Sequence, residues 1–275
     1  MKTEKIGFIG GGNMASSLIS GLISSGHAAE QIWVSDVNPD TLTALANTFG
    51  VHAIADNTAL VNAVDVVVLA VKPQTLKAVA QSLASLIQQQ KPLVVSIAAG
   101  ISQTSLSAWL GLDIAIVRCM PNTPALVQTG ATALHANAQV NAKQHDLAEN
   151  IMRAVGISLW VSDEGDLDAV TAVSGSGPAY FFLLMEAMEK VAIELGLSEQ
   201  VARLLVQQTA LGAAKIALES TESPEQLRTR VTSPGGTTEQ ALAVFKQGDF
   251  TGLVAKALQA ARDRSIELSK STENN

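Results

Sequence analysis

The sequence predicts an α/β fold: an N-terminal domain built on a doubly wound parallel sheet, followed by a C-terminal all-α dimerisation domain. Three observations predict it. Short β-type runs alternate with helical stretches through the first 160 residues. The first run ends in Gly10-Gly11-Gly12 and leads directly into a helical stretch. After Val161 the pattern changes to helices alone. Strand–helix alternation of this kind produces a parallel sheet covered by helices on both faces.

Taken in order, the strands read as Lys5–Gly10, Gln31–Ser35, Val51–Ala53, Asp65–Val71, Leu93–Ile97 and Ile114–Arg118. Two further runs, Gly130–Leu134 and Ile157–Val161, extend the sheet. Val66-Val67-Val68-Leu69-Ala70 is a continuous apolar run, as expected of a strand buried on both faces. Helical segments fall between the strands at Met14–Ser24, Asp40–Phe49 and Leu76–Gln88. In the C-terminal part Phe181, Leu184, Met185, Met188, Val191, Ala192 and Leu195 recur at helical spacing. So do Ala202, Leu205, Val206, Thr209, Gly212, Ala213 and Ile216. Small residues in these rows let helices approach closely. With few aromatics the helical half makes only a thin core by itself, which points to a homodimer with helices packed across its interface. The boundary falls near Ser162, dividing the chain into residues 1–162 and 163–275 without a Pro- or Ser-rich linker. Only Ser269–Asn275 reads as a polar, frayed tail.

Composition narrows the function. The 275 residues are 47% hydrophobic and 16% charged, which gives ample core and excludes a disordered chain. Aromatics are 4%, so the core is built from Ala, Val, Leu and Ile. A net charge of −7 and a pI of about 5.1 argue against nucleic acid as a partner. The charge is uneven: residues 1–160 carry 8 basic and 9 acidic side chains, residues 161–275 carry 10 and 16. The first part therefore admits an anionic ligand more easily. A single cysteine, Cys119, forms neither an intrachain disulfide nor a thiolate metal cluster, and no metal site is expected. Lys2 and Lys5 precede an apolar stretch in the manner of a leader, but Glu4 and the Gly10–Asn13 interruption oppose that reading. No run approaches the ~18 apolar residues of a membrane span. These features read as a cytoplasmic protein with no membrane partner.

Gly10, Gly12 and Ala15 fit the G-x-G-x-x-G/A fingerprint of a Rossmann-type dinucleotide site. Glycine permits the tight turn and the close approach of a pyrophosphate, and the helix N-terminus offers unpaired N–H groups. The same stretch without a ligand is a glycine-rich turn. The second strand ends at Ser35-Asp36, about 20 residues on, where an acid accepts from the adenosine ribose and repels a 2′-phosphate. No Lys or Arg occurs between Ile6 and Val71, which favours NADH. Two other readings stand beside it: Asp36 caps the turn at Asn38-Pro39, or a 2′-phosphate is held by Ser35, backbone N–H groups or a distant arginine. The fourth strand ends in Ala70-Val71-Lys72-Pro73-Gln74, with Lys72 either a phosphate or ribose contact or a solvated loop lysine. Ser96-Ile97-Ala98-Ala99-Gly100 lets backbone approach a nicotinamide face. The sixth strand leads into Met120-Pro121-Asn122-Thr123-Pro124, in which Asn122 is a cofactor-binding candidate and a rigid structural turn is the plainer alternative. Ser233-Pro234-Gly235-Gly236-Thr237-Thr238 precedes a helical pattern and reads as a helix N-terminus with two hydroxyl donors, suited to a small carboxylate. A simple N-capping turn accounts for the threonines but less well for the glycines.

GFIGGGNMA, LAVKPQ, SIAAGI, RCMPNTPA, SGSGPAYFF and SPGGTTEQAL occur in this order. Together they resemble the pyrroline-5-carboxylate reductase family over Lys5 to about Leu268. The resemblance implies NAD(P)H-dependent reduction of the cyclic imine 1-pyrroline-5-carboxylate to L-proline. It implies a helical dimerisation domain, often in a decamer of five dimers. Carried over, Gly10, Gly11, Gly12, Asn13 and Met14 hold pyrophosphate; Asn57, Ala70, Val71, Lys72 and Pro73 contact the cofactor; Ala98 and Ala99 lie by the nicotinamide. Ser233, Gly235, Gly236, Thr237 and Thr238 hold the substrate carboxylate, with Thr238 reaching toward the ring nitrogen as the catalytic residue. The family commonly uses NADPH, whereas Asp36 favours NADH. Gly175-Ser176-Gly177-Pro178 starts a helix with a structural role near the dimer interface.

Reducing an imine needs a hydride donor and a protonated or hydrogen-bonded nitrogen. His27, His52, His135 and His145 lie outside every motif and read as surface or packing residues, so no histidine relay is expected. Arg230, just before the substrate loop, faces either cofactor or solvent, and Cys119 reads as a packed thiol. Two other functions compete. A β-hydroxyacid dehydrogenase relies on a lysine early in its second domain, and Thr171–Tyr180 contains none. A non-catalytic dinucleotide sensor has no use for SPGGTT.

Overall fold

The computed structural model describes residues 4–273. All eight expected strands form, as β1 (Ile6–Ile9), β2 (Ile32–Ser35), β3 (His52–Ile54), β4 (Val66–Leu69), β5 (Leu93–Ser96), β6 (Ile116–Met120), β7 (Gly130–Ala136) and β8 (Gly156–Trp160). They make one sheet in the order β3-β2-β1-β4-β5-β6-β7-β8. Strands β1 to β6 pair in parallel, β7 runs antiparallel to β6, and β8 is parallel to β7. The order turns back between β1 and β4, the switch point at which doubly wound sheets bind ligands.

Helices α1 (Asn13–Ser24), α2 (Pro39–Phe49), α3 (Asn57–Ala63), α4 (Pro73–Gln90), α5 (Gln103–Leu110) and α6 (Ala142–Arg153) connect the strands. The pleat divides each strand between two cores. Val66 and Val68 pack with Leu18, Leu22, Leu45, Ala148 and Ile151 on one face. Val67 and Leu69 pack with Leu60, Leu76, Leu83, Ile87 and Leu106 on the other. Each large side chain removed from water in this way contributes about 1.5–3 kcal/mol, so the uninterrupted apolar run of β4 is required by helices on both sides.

Helix α7 (Asp166–Val170) and a turn of π-helix at Thr171–Gly175 follow the sheet, and then come α8 (Gly177–Glu194), α9 (Glu199–Glu219), α10 (Pro224–Arg230), α11 (Thr237–Gln247) and α12 (Phe250–Glu273). The compact units are residues 1–176 with 260–275, and Gly177–Gln259. The division therefore comes after the change of pattern at Ser162. The end of α12 belongs to the sheet-bearing unit: Ser265 Oγ donates to Asp168 Oδ1 at 2.6 Å, and the Leu268 side chain lies against Gly100. These contacts explain why helix continues into the segment expected to fray. Asn274 and Asn275, and Lys2 of the leader-like N-terminus, lie outside the described residues.

The helical rows of the second unit are largely unburied in the single chain. Ala202 and Val206 are buried, but Phe181 is 64% exposed and Leu195 81%. Leu184, Met188, Val191, Leu205 and Ile216 are exposed as well. Apolar residues off these rows, such as Leu183 and Leu211, are likewise exposed, so much of the apolar surface of α8 and α9 is uncovered among the described residues. Among the described residues no helix is long and apolar enough to cross a membrane.

An ion pair between a buried arginine and a half-buried glutamate ties β6 to the segment after β8. Arg118 Nη1 on β6 meets Glu164 Oε1 at 2.5 Å, and the same oxygen accepts from the Gln103 backbone N–H at 2.7 Å. Gln103 Nε2 donates in turn to the carbonyls of Ile116 and His135. Removing one member of a buried pair leaves the other charge uncompensated. Glu164→Ala is accordingly expected to lower stability by about 3 kcal/mol, seen as a reduced Tm at fixed protein concentration. The double replacement Arg118→Met with Glu164→Leu should recover part of that loss but not all of it, because the Gln103 N–H still lacks its acceptor.

Candidate functional site

At the end of β1 the backbone of Gly10 turns into the left-handed region at φ +101°. Its N–H donates to the Ser35 carbonyl at 2.8 Å, and a Cβ there would stand 2.6 Å from the Ala70 carbonyl oxygen. No other residue fits. Gly11 is also tightly enclosed, with a Cβ meeting Leu45 Cδ1 at 2.8 Å. Gly12 differs: it is the N-cap of α1, no side chain caps the helix, and nothing lies within 4 Å of where its Cβ would be. Gly12 and Asn13 are exposed and Met14 half-buried. An uncapped helix N-terminus over open space, reached through glycines, is a cradle for a pyrophosphate. These residues fit a dinucleotide.

The acid at the end of β2 has two backbone partners. Asp36 Oδ2 accepts from the Gly11 N–H and Oδ1 from the Asn38 N–H, both at 2.8 Å. The carboxylate therefore braces the glycine turn and the following turn together. Asp36 thus caps the turn at Asn38-Pro39, and Asn38 in turn caps α2, accepting from the Asp40 N–H. Ser35 is fully buried, and its hydroxyl donates to Asn57 Oδ1 at 2.6 Å. Ser35 thus sets the orientation of Asn57, the first residue of α3, which is half-buried.

Ala70 and Val71 follow β4, beside Gly10. Lys72 is exposed and stands at the N-cap of α4 without a capping side chain, and Pro73 occupies the first helical position. Ala98 is buried and Ala99 exposed in the turn after β5. Asn122 is nearly enclosed and uses both ends of its amide: Nδ2 donates to the Ser174 carbonyl at 3.0 Å and Oδ1 accepts from the Ala131 N–H at 2.9 Å. Its geometry is that of a brace between the Pro121–Pro124 turn, β7 and the π-turn.

In the second unit, Ser233–Gly236 forms a turn into α11 with Gly236 at the N-cap and no side chain capping the helix. Gly235 sits at φ +74°, and the Gly236 N–H donates to the Ser233 carbonyl at 3.0 Å. Thr237 and Thr238 are the first two residues of α11 and both are exposed. Among the described residues no hydrogen bond engages the hydroxyls of Ser233, Thr237 or Thr238. Nearby Thr229 and Thr232, by contrast, spend theirs on carbonyls one turn back. The loop offers uncommitted hydroxyls and helix N–H groups to an anion. Arg230 pairs with Glu222 within the same unit.

The remaining candidates are structural. Cys119 is buried, and desolvation pushes its thiol well above its usual range against the opposing charge of Arg118. His52 stacks on Trp33 and His145 on Trp160. His27 is buried with no partner for either ring nitrogen among the described residues. Sequence reasoning missed the Ser35–Asn57 bond, the Glu164 partner of Arg118 and the attachment of Glu239 to Gly235. The first two join residues 22 and 46 apart through geometry that no local pattern encodes, whereas a glutamate at the third position of a helix is a local signal that could have pointed to the third.

Comparison with known proteins agrees with this layout. Residues 5–100 match the family model "NADP oxidoreductase coenzyme F420-dependent", and residues 164–268 match "Pyrroline-5-carboxylate reductase dimerisation". The pyrroline-5-carboxylate reductase of Pseudomonas aeruginosa is 53% identical over 98% of this chain and 98% of its own. Among solved structures, a pyrroline-5-carboxylate reductase from Coxiella burnetii is 49% identical, with a TM-score of 0.93 over 97% of this chain and 99% of that one. The Plasmodium falciparum pyrroline carboxylate reductase, solved with NADP bound, is 29% identical with a TM-score of 0.86 over 98% and 99%. With a sheet-bearing nucleotide cradle, an anion loop in a helical unit and this degree of identity over nearly its whole length, the chain belongs to the pyrroline-5-carboxylate reductase family.

Proposed function

We propose that the chain catalyses NAD(P)H-dependent reduction of 1-pyrroline-5-carboxylate to L-proline, the last step of proline biosynthesis, in the cytoplasm. The observation that carries this reading is the uncapped start of α11, where uncommitted hydroxyls at Ser233, Thr237 and Thr238 meet helix N–H groups in a chain of this family. The nicotinamide dinucleotide, when bound, supplies the hydride. Gly10 to Met14 hold its pyrophosphate, Asn57 and Ala70 to Pro73 line its path, and Ala98 and Ala99 leave room for the ring. The Ser233–Thr238 loop binds the substrate carboxylate, and the Thr238 hydroxyl orients the ring nitrogen by hydrogen bonding. A protonated imine is electrophilic without a strong protein acid, so the chain's contribution is positioning. His52 and His145 are engaged in stacking on Trp33 and Trp160.

Asp36 supports NADH as the preferred cofactor. Its carboxylate is held at the lip of the glycine turn by two backbone N–H groups, and no Lys or Arg lies between Ile6 and Val71 to offset the charge of a 2′-phosphate. The exposed apolar faces of α8 and α9 support a homodimer through the helical unit, and the family resemblance supports a decamer of five dimers.

The deciding experiment follows absorbance at 340 nm with 1-pyrroline-5-carboxylate, titrating NADH and NADPH separately. Saturable oxidation that requires the imine is expected; tight cofactor binding without oxidation would indicate a sensor. Thr238→Ala should lower kcat/KM for the imine at least about tenfold while cofactor affinity stays near wild type. Asp36→Ala should shift the ratio of NADH to NADPH specificity constants toward NADPH by about tenfold, and an unchanged ratio would remove Asp36 from cofactor selection.

A further inference from the structure

The loop proposed above for the substrate carboxylate already contains a carboxylate of its own. Glu239 Oε2 accepts from the Gly235 N–H at 2.7 Å. A glutamate at the third position of a helix commonly reaches back to the N–H of the N-cap residue. Here the N-cap is Gly236, whose N–H is taken by the Ser233 carbonyl. Glu239 therefore reaches one residue further. Gly235 is the least restrained point of the turn: it lies at φ +74°, and nothing stands within 4 Å of where its Cβ would be. Two hydrogen bonds, one at Gly235 and one at Gly236, define the path of the glycine pair. The charge of Glu239 is matched by an amide and by the positive end of α11.

We infer that Glu239 is a positioning residue for the substrate carboxylate. By holding the Gly235 amide it keeps the turn in the shape that leaves the Ser233, Thr237 and Thr238 hydroxyls uncommitted. The inference rests on the reading of this loop as the substrate site. It requires an acceptor of the right reach at position 239 and does not require a negative charge there.

The test is imine-dependent cofactor oxidation by the full-length wild type and by Glu239→Ala, Glu239→Gln and Glu239→Asp. Cyclopentanecarboxylate, which has the carboxylate but no ring nitrogen, serves as a competitive inhibitor. In Glu239→Ala the KM for the imine and the inhibition constant of cyclopentanecarboxylate should rise together, by about tenfold. The kcat and the cofactor KM should stay within about twofold. Glu239→Gln keeps an acceptor of the same reach and should restore both constants. Glu239→Asp keeps the charge but loses the reach and should behave like Ala, which preserves the test if the Ala variant does not fold. A lower imine KM in both Ala and Gln variants would overturn the inference, because Glu239 would then be a competing anion. Unchanged constants in Ala and Asp, or a fall in kcat alone, would overturn it too. A wild type that oxidises neither cofactor would overturn the loop's assigned role, and this inference with it.

Discussion

The close passage of the Gly10 backbone against the Ala70 carbonyl is the constraint on which the nucleotide half depends. β1 and β4 are neighbours across the switch point, and their ends must come together for the crevice to form. At 2.6 Å from a would-be Cβ to the carbonyl oxygen, no side chain is admitted. Asp36 then ties the next glycine to the end of β2, and Ser35 ties the same strand to the start of α3 through Asn57. The turn is thus a property of three strand ends held in register, and α1 starts over it with no side-chain cap, its first N–H groups suited to an anion. The apolar runs of the strands serve this local geometry by fixing where each strand stops.

The helical unit is governed by the opposite condition. Its rows of Phe, Leu, Met and Val are mostly uncovered in a single chain, an arrangement no isolated domain of this size sustains in water. The chain matches a dimerisation family over these residues, and the exposed rows give that match its physical content. Burial of those faces against a second copy contributes the hydrophobic stabilisation that the chain alone cannot supply. The glycine turn at α11 belongs to this unit, so the loop proposed for the substrate carboxylate lies on a scaffold whose apolar faces are largely exposed in the single chain.

Much of this was legible in the sequence, for physical reasons. Strands buried on both faces must be apolar throughout, so Val66–Leu69 announced itself. A backbone that must approach both another strand and a phosphate must be glycine, so Gly10–Gly12 did as well. Strand direction was not legible, because hydrophobic period carries no sign, and β7 proved antiparallel to β6. Nor did helical periodicity say whether a face is covered: Phe181 and Leu195, at helical spacing, are both exposed in the single chain. Arg118 and Glu164 are 46 residues apart, and only the folded sheet brings them together. The segment from Ser269 is helical as far as Glu273; just before it, Ser265 and Leu268 find partners in residues far upstream, which no local pattern shows.

The two loops also show why this chemistry needs no conspicuous catalytic group. A dehydrogenase that reduces a carbonyl must deliver a proton to an oxygen of low basicity, and a histidine or lysine is the usual donor. An imine nitrogen is basic enough to carry its own proton, which removes that demand. What remains is to bind an anion at a fixed distance from a hydride source. Backbone N–H groups at helix starts, short hydroxyls and glycines suit that need, and α1 and α11 each begin with such groups and no side-chain cap. The acidic balance of residues 161–275 makes local, directed donors the more necessary for any carboxylate bound there: net charge offers it no attraction, and the N–H and O–H groups of a turn of fixed shape are the donors suited to it.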